Sequence, residues 1–330
     1  MIYTRKLLNN KKLSFLGLGC WRFGEKEFPP VSSNPGKNYW NGQKRVDSNK
    51  IIDLAVKSGI THYDTAQAYG FGLSEQFTGQ KLRKLRENMI IATKIIPSSN
   101  NCLEILKKIE LSLKRMNTDY IDILYLHWPD KKYDIKFASE ALETARLKGL
   151  IKYTGVSNFS VGEIKEAGEA GIVDFCQIGY SLLWRHREKD VIPFCVSKGI
   201  HIIGYSFYAQ GLLFKKQLTQ KNNYPGSLRN NLIFLKKENI KITSEIINEL
   251  DAVSAATGYS IPALLINWAM SKPWLAGILA GASTKNQFDE SVKGVNTGVD
   301  KTVIDKIDSI SLAGESITDT QNIFAHNPYA

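Results

Sequence analysis

The chain has 330 residues, 43% hydrophobic and 23% charged, a balance that excludes a disordered or fibrous protein and suffices for one large buried core. Its net charge is +11, yet the basic residues are scattered along amphipathic segments such as Lys81–Arg86 and Lys236–Lys241, which argues against a nucleic-acid partner. No apolar run reaches membrane-spanning length, no signal-peptide core occurs, and Cys20, Cys102, Cys176 and Cys195 lack metal-ligand spacing. A membrane anchor, a secretory leader and a metal site are therefore not expected, and a cytoplasmic location with reduced thiols is.

In chain order, a strand is predicted over 13–19, then a Pro/Gly/Asn-rich loop over 24–46, a helix over 50–58 and a strand over 61–64. A helix opening at Leu73 precedes the strand over 89–94. A helix over 103–115 leads to strand 121–127, one over 139–148 to strand 153–157, and one over 161–169 to strand 175–180. A helix over 188–198 and a strand over 200–206 come next. A long stretch, 207–243, then precedes the last strand, 276–281, and a helical pattern near 300–310. Several strands are apolar on both parities, as strands covered on both faces are. Successive strand ends lie about 30 residues apart, the length of one βα unit. Eight such units predict a closed (β/α)8 TIM barrel forming one domain over 1–330. The loops 24–46 and 207–243 both follow strands, so they fall on the C-terminal face, where barrel active sites sit.

Three consecutive strands end in Asp64, Lys94 and His127, each after an apolar run that would otherwise continue the core. Neighbouring strands lie about 4.8 Å apart, so an acid, an ammonium and an imidazole converge on one rim. Tyr69, followed by Gly70 and Gly72, sits on the loop after Asp64 and can swing over the barrel mouth. An ammonium beside a phenol favours the phenolate, and a carboxylate would keep that ammonium charged and oriented. With His127 donating to the same substrate oxygen, Tyr69 becomes an acid able to protonate a developing alkoxide. Nothing in this set supplies electrons, so a hydride donor must bind. Ser157, Asn158 and Gln177 can read a carboxamide, and Tyr205 can stack on a flat ring. The small-residue loop Gly281, Ala282, Ser283, with Gln287 and Glu290 beyond it, opens a helix and can bind phosphate through its N–H groups. No GxGxxG follows any strand, which excludes a Rossmann domain.

The strings GITHYDTAQAYGFGLSE (59–75), ATK (92–94), LYLHWPD (124–130), GVSNF (155–159), QIGYSLLWR (177–185) and YSFYAQGLL (205–213) closely resemble the aldo-keto reductase superfamily. The resemblance runs from about residue 4 to residue 295 and is nearest the branch with potassium-channel β subunits and bacterial general-stress enzymes. It implies an N-terminal hairpin plugging the barrel floor and a catalytic four of Asp64, Tyr69, Lys94 and His127. It implies that Ser157, Asn158 and Gln177 hold the nicotinamide carboxamide, that Tyr205 stacks on the ring, and that Ser206, Phe207, Gly211 and Leu212 form the pyrophosphate loop. Lys216 matches a phosphate-facing lysine and Arg229 an arginine that meets a 2′-phosphate, so NADPH is the expected cofactor, with NADH possible. Gly281, Ser283, Gln287, Glu290 and Ser291 fall on the adenosine side. Cys20 stands beside the nicotinamide where many relatives have threonine, and Ser291 where asparagine is usual. Trp21 and Trp128 flank the substrate mouth together with Tyr69 and His127. Trp40 and Arg22 are expected to reach it too, Arg22 suiting an anionic or sugar-like carbonyl compound.

The main expectation is therefore an enzyme reducing a small aldehyde or ketone. Two alternatives stand beside it. One is a cofactor-holding regulatory subunit with slow turnover. The other is a Schiff-base aldolase using Lys94, against which pairing with Asp64 argues, because a protonated lysine is not a nucleophile.

Overall fold

The computed structural model describes residues 3–8, 11–23, 48–214 and 232–317. The expected barrel is what the chain forms. Strands β1 (Thr4–Leu8) and β2 (Lys11–Ser14) make an antiparallel hairpin, with Thr4 opposite Ser14 and Leu8 opposite Lys11. Eight further strands follow: β3 (Leu16–Gly19), β4 (His62–Asp64), β5 (Ile90–Ile95), β6 (Ile121–Leu126), β7 (Ile151–Ser157), β8 (Phe175–Gly179), β9 (His201–Tyr205) and β10 (Leu275–Ala280). Each pairs in parallel with its neighbour, and β10 closes the circle by pairing with both β9 and β3.

The predicted run 13–19 is split at Phe15. Its amide donates to the Tyr3 carbonyl at 3.0 Å and its own carbonyl accepts from Ile278 at 2.7 Å, so this residue hands the chain from hairpin to barrel. The hairpin covers the barrel floor as expected, because Leu13 of β2 packs with Ile90, Ala92, Ile123 and Phe175 inside the barrel.

Around the barrel run α1 (Ser48–Lys57), α2 (Leu73–Leu82), α3 (Cys102–Met116), α4 (Ile135–Leu147), α5 (Val161–Ala170) and α6 (Val191–Ser197). They continue with α7 (Ile240–Thr257), α8 (Ile261–Met270), α9 (Lys285–Asn296) and α10 (Lys301–Leu312). Several starts are set by local chemistry. Asn101 and Asp134 accept from the amides two residues on, and Ser160 with Glu163 completes a capping box. The helix predicted over 188–198 is broken at Asp190, whose carboxylate instead accepts from the Val191 amide and starts α6. The helix expected to open after Gly281–Ser283 is α9, whereas α7 and α8 lie where no helix was predicted. The reason is clearest in α8, whose Leu264, Leu265, Ile266 and Trp268 are all buried, so no polar stripe reveals its period. The loop 24–46, residues 215–231 and the tail beyond 317 lie outside the described residues. Among the described residues no helix is long and apolar enough to cross a membrane, and no cluster of potential metal ligands occurs.

Packing of α2 on α3 leaves no room at Gly79, where an added Cβ would lie 2.1 Å from the Met116 carbonyl oxygen. Gly79→Ala should therefore destabilise the protein by about 1–3 kcal/mol, read as a lower urea midpoint with an unchanged slope. An unshifted midpoint would mean that the two helices can separate freely.

Candidate active site

Side chains alternate along a strand, so Asp64 on β4, Lys94 on β5 and the residue after β6, His127, all turn into the barrel mouth. The Lys94 ammonium, 1% exposed, donates to the Asp64 carboxylate, to the Thr65 carbonyl at 2.9 Å and to the Tyr69 hydroxyl at 3.2 Å. The second oxygen of Asp64 accepts from the Gln177 amide at 2.8 Å. Burial lowers the Lys94 ammonium below lysine's usual value, and the adjoining Asp64 carboxylate opposes that shift.

Tyr69 reaches Lys94 because its loop is pinned at both ends. The Thr65 and Gln67 amides donate to the carbonyls of Ala92 at 2.8 Å and Lys94 at 3.1 Å, and the Gln67 side chain donates to the Lys108 carbonyl at 2.8 Å. Beyond Tyr69 the backbone turns left-handed at Gly70, Phe71 and Gly72; Gly72, at φ 91°, is the N-cap of α2. Ser74 then donates to the Cys20 carbonyl and accepts from Thr65, tying this loop to β3. The next residue, Glu75, is wholly buried and receives Thr93 and Arg115, each at 2.6 Å.

His127 packs edge-on against Tyr69, with ring centroids 5.8 Å apart. Burial, and secondly the Lys94 charge, push its imidazole well below the ordinary histidine range, so it is neutral at physiological pH. Its carbonyl accepts from Asn158 at 3.0 Å. Asn158 also donates to Ser157 at 3.0 Å and accepts from the Tyr205 hydroxyl. The Tyr205 ring is held from behind by the edge of Trp184, 6.0 Å away.

Beside this cluster opens a cavity of about 820 Å³. Trp21, Asp64 and Tyr69 line one end, and Ser283, Gln287 and Glu290 line the other. Tyr205, Ser206, Phe207, Gly211 and Gly281 form walls between them. Lys94 and Gln177, both bonded to Asp64, and His127 and Ser157, both bonded to Asn158, are not part of that lining. Cys20 and Leu212 are buried behind it too, and burial pushes the Cys20 thiol up to about 12. Ser291 shares a 2.8 Å hydrogen bond with Tyr208. Trp128 packs against His127 with centroids 6.4 Å apart. Lys216, Arg229 and Trp40 lie outside the described residues.

Backbone strain gathers at this mouth. Of the described non-glycine residues with positive φ, only the helix cap Asn117 is elsewhere; Phe71, Asn158, Ser206, Ala209 and Gln210 are all on loops of the C-terminal face. A long cavity with a pinned aromatic ring, amide side chains at one end and hydroxyl and amide donors at the other fits a dinucleotide.

Sequence reasoning missed the Glu75–Thr93–Arg115 brace and the contact of Arg22 with Ser283. Arg22, expected to reach the substrate mouth, lines the same cavity as Trp21 and Tyr69, and its guanidinium donates to Ser283 at 3.0 Å, 261 residues on. A carboxylate just inside α2 was the available signal for the brace; no local pattern announces the second contact.

Comparison with known proteins bears on the family and the fold. A family model described as "Aldo/keto reductase family" matches residues 15–312. An aldo-keto reductase of Bacillus subtilis (strain 168) is 30% identical, over 93% of this chain and 96% of that one. The NADH-specific methylglyoxal reductase of Escherichia coli (strain K12) is also 30% identical, over 86% and 90%. Among solved structures, a glycerol dehydrogenase from Gluconobacter oxydans shares the fold with a TM-score of 0.75 at 24% identity, over 94% of each chain.

Burial also holds His62, inside the barrel below Asp64, at about 4, and His186 at about 3, both first by desolvation. The unfolded chain takes up these protons near pH 6.5 while the folded one does not, so stability falls as pH drops below that value. His62 alone accounts for on the order of 3 kcal/mol by pH 4. Urea midpoints should fall from about pH 7 to about pH 5, less steeply in His62→Asn. A flat profile would mean that these imidazoles are protonated in the fold.

Proposed function

The chain belongs to the aldo/keto reductase family, and on that premise we propose that it reduces the carbonyl of a small aldehyde or ketone with NADPH, Tyr69 giving the proton. The observation that carries this reading is the Lys94 ammonium, which donates at once to Asp64, Thr65 and Tyr69. An ammonium with its three hydrogens so committed has no lone pair to attack a carbonyl, which weighs against a Schiff-base aldolase. It is instead a fixed positive charge beside a phenol.

The chemistry that the nicotinamide supplies when bound is a hydride for the carbonyl carbon. The protein does the rest. Tyr69 delivers its proton to the carbonyl oxygen as negative charge builds there, and Lys94 stabilises the phenolate left behind. Asp64 and Gln177 hold Lys94 in place. Neutral His127 can donate to the same oxygen without adding a charge. Trp21, 6.2 Å from Tyr69 between ring centroids, and Trp128 give an apolar flank that excludes water from the developing charge. Residues suited to hold the nucleotide are Asn158, Gln177 and Tyr205 at the nicotinamide end. Ser206, Phe207 and Gly211 lie along the wall with Leu212 buried behind them, and Gly281, Ser283, Gln287 and Glu290 lie beyond, with Ser291 buried beside Tyr208. The preference for NADPH rests on Lys216 and Arg229, which match phosphate-facing residues of the family.

Tyr69→Phe should lower kcat by about 10²–10⁴-fold while leaving nucleotide affinity nearly unchanged in a fluorescence titration. Turnover near that of the parent would remove Tyr69 from the mechanism. NADPH should bind more tightly than NADH, and the difference should vanish in the double variant Lys216→Met, Arg229→Met. Nucleotide held tightly by the parent with no turnover on any carbonyl panel would instead indicate a cofactor-holding subunit.

A further inference from the structure

Strand β8 ends at Gly179, whose register partner on β9 is Tyr205. Phe175 and Gln177 face into the barrel, so position 179, two residues on, faces the mouth as well, yet it carries no side chain. Trp184 fills that place. A Cβ at Gly179 would lie 1.8 Å from the Trp184 ring, and the same ring meets Tyr205 at 88° with centroids 6.0 Å apart. It also stacks on His186, at 24° with centroids 5.6 Å apart. Neither ring nitrogen of His186 finds a partner among the described residues, so packing rather than hydrogen bonding places its imidazole.

The surrounding loop holds Trp184 still. Trp184 and Ser181 exchange backbone hydrogen bonds at 2.9 and 3.4 Å. Just before them, Tyr180 stacks on Trp268 of α8 at 8° and donates its hydroxyl to Glu188 at 2.6 Å. Just after them, Arg185 donates to Glu188 at 2.7 and 2.9 Å, to the Asp308 carbonyl at 3.2 Å and to Ser311, the last two on α10. Tyr205 lines the cavity, and Trp184 does not.

The Tyr205 hydroxyl donates to Asn158. Its oxygen lies on the axis through Cβ and the ring, so that bond fixes the far end of the side chain and leaves the ring able to turn about the axis. A second ring set at right angles beside it resists the turn, because the edge-to-face contact is lost as the planes rotate. We propose that Trp184, backed by His186, is a positioning residue that sets the plane of the Tyr205 ring and, through it, the plane in which a stacked nicotinamide is presented. The inference rests on the hydride-transfer reading above and adds to it a residue that acts through Tyr205 alone.

The test is calorimetric titration of the parent, Trp184→Leu, Trp184→Phe and His186→Ala with NADPH and with 2′-phospho-ADP-ribose, which lacks the nicotinamide. Trp184→Leu should weaken NADPH about tenfold and leave 2′-phospho-ADP-ribose unchanged, since the loss falls where the nicotinamide stacks. Its kcat should drop by about ten- to a hundredfold, with the KM for the carbonyl compound close to that of the parent. Trp184→Phe keeps a ring and should recover most of both losses, and His186→Ala should show the same selective loss in smaller measure. Equal weakening of the two nucleotides overturns the assignment, because a merely structural role acts on the whole cavity. So does an unchanged NADPH affinity and kcat in Trp184→Leu. Should thermal melting show that Trp184→Leu does not fold, His186→Ala decides in its place: a loss confined to NADPH supports the assignment, and an equal or absent loss overturns it. If the parent binds neither nucleotide, the hydride-transfer reading itself fails; if it binds both and Trp184→Leu binds them equally well, only this inference does.

Discussion

Everything at the mouth of this barrel is arranged around the ion pair of Lys94 and Asp64. Taking an ammonium and a carboxylate out of water costs several kcal/mol per ion, and their attraction offsets this only when the remaining hydrogen-bonding capacity is filled. Here it is filled by named groups: Thr65 and Tyr69 on the ammonium, Gln177 on the carboxylate. Removing either partner would strand a charge that is almost entirely out of reach of solvent. The pair therefore constrains three strands and the loop between β4 and α2 at once, and the position of Tyr69 follows from it.

The constraint extends outward through Thr93, next to Lys94 on β5. Thr93 faces the helix layer and donates to Glu75, which Arg115 of α3 neutralises. A second buried carboxylate thus lies on the opposite side of the same strand, near enough to support the Lys94 charge. It also fixes the start of α2, whose first turn follows the left-handed run Gly70–Gly72. The strained segment carrying Tyr69 is consequently held by Lys94 at one side and by Ser74 and Glu75 at the other. Strain in such a segment persists only where its surroundings over-determine it, and they do.

The barrel was legible because parallel strands covered on both faces read as apolar runs of characteristic spacing, and the observed strand bounds fall within a residue or two of those runs. Asp64, Lys94 and His127 were legible for the complementary reason: an ionisable side chain closing an apolar run contradicts its surroundings. The exceptions are equally physical. Helix α8 is buried on every side and so has no amphipathic signature. The bend at Phe15 depends on Tyr3 and Ile278, the latter from the far end of the chain. The contact of Arg22 with Ser283 exists only because β10 closes the barrel against β3, a consequence of topology that no local pattern encodes.

That closure also explains why the interior can hold one ion pair without titrating its neighbours. Cys20, His62 and Tyr125 all feel Asp64, and each is driven by burial toward its neutral form: the thiol to about 12, the imidazole to about 4, the phenol well above its ordinary value. None gains or loses a proton over the neutral range, so the field at Tyr69 there is set by Lys94 and Asp64. Gly155 makes room for the ring of Tyr125, since a Cβ there would lie 2.5 Å from it, and the hydroxyl of that ring lies close enough to feel the Asp64 carboxylate. Low dielectric is usually counted as the cost of a buried charge. In this barrel it also holds Cys20, His62 and Tyr125, the neighbours that feel Asp64, in their neutral forms.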